Sequence, residues 1–109
     1  MARLAIAPLV LEARGLDVTP GIIDRLEHSD DSESGAILQI ILADEIGHVA
    51  IGQQWFTRIA IARGLNPIAS FHTLVRKHYR GRLKPPFNKA SRDAAGLCAN
   101  WYEPLVALS

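Results

Sequence analysis

Cysteine is almost missing from this 109-residue chain: Cys98 stands alone, which excludes an internal disulfide and a cysteine-rich zinc site. A surplus of either charge is missing too. With 12 basic and 11 acidic residues, no global field selects nucleic acid or a membrane surface. Strict alternation of apolar and polar residues occurs nowhere, so no strand is predicted and the fold class is all-α. Long apolar runs are missing as well. The richest, Ala36 to Ala43, is interrupted by Gln39 and followed by Asp44 and Glu45, short of the ~18 residues that cross a bilayer. Met1 to Val10 carries Arg3 and Pro8, shows no small-residue cleavage site and runs on into Leu11, Glu12 and Arg14, so it reads as helix rather than signal peptide. The expectation is a soluble, cytoplasmic protein whose residues 1–109 form one small domain.

Proline is absent from Ser32 to Arg63, and this stretch holds the recognisable chemistry. Its apolar stripe reads Ile37, Leu38, Ile41, Leu42, Glu45, His48, Val49, Gly52, Trp55, Phe56, Ile59, the spacing of a core-facing helix. Glu45 and His48, three apart, project from one face, where a carboxylate and an imidazole can share a metal ion. A carboxylate in an apolar surface is costly unless a cation, a hydrogen bond or an ion pair compensates it. Glu-x-x-His by itself is a weak motif, and a buried arginine or the histidine would satisfy Glu45 equally well.

Around this helix the chain is punctuated. A helix over about 2–14 is predicted to stop at Gly15, with Arg14 in its last turn and Pro8 as either its kink or its start. Glu12 looks out from it with Ala5, Pro8, Leu9 and Leu16. Thr19-Pro20 is a helix start, giving a short helix over about 20–28 with Ile22, Ile23 and Leu26 inward. Asp30 and Glu33 have the spacing of a capping box for the long helix, about 32–63, which ends at Arg63-Gly64. Ala13-Arg14-Gly15-Leu16-Asp17 is echoed by Ala62-Arg63-Gly64-Leu65-Asn66, either repeated stop chemistry or an old duplication. Asn66-Pro67 opens a helix over about 67–79 with Ile68, Phe71, Leu74, Val75 and His78 inward. After a linker from Gly81 to Pro86, Asn88 caps a helix over about 88–95, and Trp101, Tyr102, Leu105 and Val106 form an apolar tail that docks on the bundle.

Other candidate residues lie outside this helix. Arg76, Lys77, Arg80, Arg82 and Lys84, with His78 and Tyr79 among them, could hold phosphates or RNA, although cations are favoured at any helix C-terminus. His28 and His72 have no ligand-spaced partner and read as surface residues. Cys98 reads as a small apolar residue.

Taken with Glu12, these segments resemble a known pattern. Leu11 to Pro20, Asp44 to Gly52, Pro85-Pro86-Phe87-Asn88 and Trp101 to Leu105 are similar to the C-terminal half of a ferritin-like di-iron carboxylate protein, and more narrowly to uncharacterised bacterial ferritin-like proteins distantly related to tRNA-modifying hydroxylases. The resemblance implies half of a four-helix bundle with two bound metals, iron or manganese, in which Glu12 is the lone glutamate of one helix and Glu45 and His48 the Glu-x-x-His of the next. It implies an oxygen-activating oxidoreductase family, and assigns no catalytic residue or substrate. The other two bundle helices and their ligands are absent. The chain is therefore a piece of a longer protein, a form that has lost its site, or a protomer that completes the site as a homodimer. The competing reading is a non-enzymatic helical module that binds protein or RNA.

Overall fold

A computed structural model describes residues 1–106, and two long antiparallel helices form its frame. The first, α1, is continuous through Ala2–Ile6, a π-helical segment Ala7–Glu12 and an α-helix Ala13–His28. The second, α2, spans Ser32–Ala62. At 1.5 Å per residue its 31 residues run about 46 Å, which sets the 51 Å long dimension of the molecule.

The continuity of α1 corrects the expected stop at Gly15 and restart at Thr19-Pro20. Among the described glycines positive φ occurs at Gly64 and Gly96, while Gly15 stays helical. The two echoed pentapeptides therefore behave differently. After Gly64 the Leu65 N–H reaches back to the Ala60 carbonyl at 2.9 Å and closes α2, leaving Leu65 exposed. After Gly15, by contrast, Leu16 is completely buried, in line with Leu9 and Ala13. Burying that row along one unbroken helix outweighs local stop chemistry and the hydrogen bond lost at Pro20. Pro8 opens a wider turn: no N–H is available there, and the Ala13 N–H bonds the Pro8 carbonyl five residues back.

Other boundaries agree with the sequence reading, with local differences. Asp31, not Asp30, caps α2, accepting from the Ser34 N–H at 3.2 Å, and Asp30 instead takes the left-handed turn position at φ 62°. Helix α3 (Pro67–His78) starts at Asn66, which accepts from the Ala69 N–H at 3.0 Å. Its Phe71 and Val75 are buried, but His78 is exposed rather than inward. Helix α4 (Lys89–Ala94) is capped by Asn88, and α5 (Ala99–Tyr102) runs into a 3₁₀ turn at Glu103–Leu105. The described residues contain no strand.

Helices α3 to α5 cover one side of the α1–α2 hairpin. There Phe56 of α2 meets Phe71 and Trp101 edge-on, each at 6.1 Å between ring centres, and Leu9, Leu16 and Tyr102 close the core around them. Docking of the tail through Trp101, Tyr102 and Leu105 is as expected. The hairpin helices approach closely at Gly52, where a Cβ would stand 2.6 Å from the Cβ of Pro8.

The other side of the hairpin is open. Of the stripe expected to face the core, Val49, Gly52 and Phe56 are buried, while Ile37, Ile41 and Trp55 are about half exposed. The exposed row Ile37, Ile41, Asp44, His48, Ile51, Trp55 advances in steps of four and three, the seam that packs against another helix. Leu11, Val18 and Ile22 of α1 are also exposed. By length and composition α2 is long and apolar enough to cross a membrane, contrary to the sequence reading, and 17% of its most apolar window is buried. Much of its apolar surface thus has no cover among the described residues.

Candidate metal half-site and basic cleft

Glu45 sits between the two rows of α2, one turn from Val49, and His48 follows on the open row. The carboxylate is three-quarters buried, and its Oε1 is inaccessible to solvent with no hydrogen-bond partner. Its Oε2 lies 3.8 Å from His48 Nδ1, and the imidazole is 64% exposed. The compensating arginine weighed from sequence is not there. A buried carboxylate oxygen without a donor costs about 1–3 kcal/mol, so Glu45 is held in an environment that a cation would relieve.

Glu12 comes from the other helix. Because Pro8 packs on Gly52 in an antiparallel pair, Glu12, one turn beyond Pro8, is level with His48, one turn before Gly52. Glu12 is exposed. Among the described residues, however, no three His, Cys, Asp or Glu side chains gather closely enough to hold a metal ion. Glu45 and His48 are thus adjacent donor-type side chains, with Glu12 across the hairpin at the same level.

The basic run divides. Arg76, Arg80, Arg82 and Lys84 border a pair of adjoining cavities, joined by Arg14 from α1, whereas Lys77 borders neither. The other sequence candidates have structural roles. His28 is exposed, and its Nδ1–H donates to the Asp24 carbonyl at 2.8 Å, which with the Asp24 carboxylate holds its pKa above 6.5. His72 is not a free surface residue: its Nε2 stands 2.9 Å from the Asn100 carbonyl and 3.1 Å from that of Trp101, tying α3 to α5. Cys98 is exposed at the start of α5.

Sequence reasoning missed a buried polar cluster that joins α1 to α4. Asp17 and Arg92, 75 residues apart, form a buried bidentate ion pair with bonds of 2.9 and 2.6 Å, their side chains 1% and 3% exposed. Asn88 completes it, its N–H donating to Asp17 and its side-chain amide to the Leu16 carbonyl. The guanidinium also lies 4.8 Å over Phe87 and 4.5 Å over Tyr102. Burial pushes the Tyr102 phenol above its usual value, and Arg92 partly opposes that. Asp17 and Asn88 fall inside segments that carry the family resemblance, which was the available signal. Nothing local identifies Arg92.

Comparison with known proteins adds a family. An uncharacterised protein of Haemophilus influenzae is 42% identical over 94 residues, which make up 86% of this chain and 33% of that protein. The chain thus spans about a third of the length of this relative. No solved structure matches it. The sequence profile described as "Protein of unknown function (DUF455)" matches residues 1–103, and since that covers nearly the whole chain, the protein belongs to the DUF455 family.

Proposed function

We propose that this chain is half of a ferritin-like di-metal carboxylate protein, with Glu12, Glu45 and His48 as its ligands to iron or manganese. The observation that carries the reading is Glu45: a carboxylate oxygen buried without a donor, beside a histidine, at the margin of an apolar helical face that lacks its own cover. Two copies packed across that face supply two lone glutamates and two Glu-x-x-His pairs, the ligand set of such bundles. Further helices of a longer relative would serve the same purpose. Reduced iron with an open coordination position activates dioxygen, so the family activity proposed is that of an oxidoreductase. This chain's part is to present three ligands on a rigid hairpin and to exclude water from Glu45.

The test is metal content after anaerobic incubation of the full chain with Fe(II) or Mn(II), combined with sedimentation. About one metal ion per chain, lost in Glu45→Ala, and a dimer at tens of micromolar are expected. Metal content no higher than in Glu45→Ala sinks the proposal. A second reading, a metal-free module that binds a helical partner through the open face, is favoured by the missing third neighbouring ligand. A monomer without metal that still captures a two-helix segment of the longer relative supports that one.

A further inference from the structure

We propose that the cleft between α1 and the segment 79–84 binds a phosphorylated small molecule. Two cavities, of about 330 and 220 Å³, adjoin here and share Tyr79, Arg82 and Leu83 in their walls. Arg14 and Lys84 border the larger, Arg76 and Arg80 the smaller and Arg82 both, and among the described residues no acidic one borders either. Among the described residues none of these five cations forms an ion pair. Arg92 also reaches the larger cavity, but its charge is matched by Asp17.

Five cations with no ion-pair partner among the described residues are a strong local concentration for one cleft in a chain whose net charge is +1. Preference for cations at the end of α3 accounts for Arg76 but not for this convergence. Arg14 arrives from α1, and its Nη1 donates to the Lys84 carbonyl at 2.9 Å, across 70 residues of sequence. That bond fixes the loop against the helix and holds two cations beside one cavity. Val10, Leu11 and Leu83 give the larger cavity an apolar wall. A few convergent charges against an apolar wall, in a volume of a few hundred Å³, suit a small ligand with a phosphate at one end, and guanidinium groups match phosphate oxygens in pairs.

The experiment is calorimetric titration of the full chain with inorganic diphosphate, without metal, so its outcome is independent of the metal reading. Saturable binding of one diphosphate per chain is expected, weakened ~tenfold or more in Arg82→Gln/Lys84→Gln, the scale of one charge-assisted hydrogen bond. All of these side chains are exposed, so the variant keeps its fold, which circular dichroism checks. Lys77→Gln removes one charge from the same run outside the cleft and leaves binding unchanged. Equal weakening by Lys77→Gln, no diphosphate binding, or binding of an RNA oligonucleotide with which diphosphate does not compete overturns the proposal.

Discussion

Replacing Arg92 by alanine tests whether the Asp17–Arg92 pair locks the C-terminal segment onto the hairpin. The substitution removes two short bonds to a carboxylate that is 1% exposed and leaves the Asn88 N–H, at 2.8 Å, as its remaining donor. It also strips the guanidinium from over the Phe87 and Tyr102 rings. Breaking a buried pair by deleting one partner costs about 3–5 kcal/mol, because the other charge stays buried without compensation. A domain of this size has roughly 5–15 kcal/mol in all, so the loss is a large fraction. Urea unfolding followed by circular dichroism should show it, with a fall in Tm of at least about 12 °C. The double variant Asp17→Asn/Arg92→Met should recover much of the loss, since neither charge then remains. A cost below about 1 kcal/mol for Arg92→Ala, the value of an exposed pair, refutes the reasoning, as does a double variant less stable than the single one.

Gly52→Ala places a methyl group 2.6 Å from Cβ of Pro8, whose ring cannot rotate away, so a loss of about 1–3 kcal/mol is expected in the same assay, and unchanged stability shows that the hairpin has slack there. Phe56→Ala removes a fully buried ring that meets Phe71 and Trp101 edge-on, with an expected loss of about 3–5 kcal/mol; a cost under 2 kcal/mol means the core refills. Glu45→Leu in chelator-treated protein should leave stability unchanged or raise it by up to about 1 kcal/mol, since the carboxylate oxygen it deletes has no donor, and a clear loss shows a hidden partner. His28, held by the Asp24 carbonyl and carboxylate, should titrate by NMR above 6.5. Its folded pKa is raised, so its contribution to stability is present below pH 6.5 and fades as pH rises through the folded value; a midpoint at or below 6.5 refutes the assignment.

Local sequence determined a good deal. Periodicity without alternation made the fold helical, and side-chain caps placed the starts of α3 and α4 at Asn66 and Asn88, because a cap is a contact between residues three apart. Glu45 and His48 were legible as a pair for the same reason. What sequence left open was settled by groups distant along the chain. Ala-Arg-Gly-Leu ends α2 and passes unnoticed through α1, since Leu16 has a core to enter and Leu65 has none. The stripe on α2 read as a single core face, but α3 to α5 cover just one edge of it, leaving Ile37, Ile41 and Trp55 open. Arg92 looked like an ordinary helical charge until the fold set it against Asp17. Arg14 likewise gained its place in a cationic cleft from the loop that returns beside it. Helix type and caps are short-range and survive in the sequence; burial, charge pairing and the open face depend on which surfaces meet, and tertiary structure alone decides that.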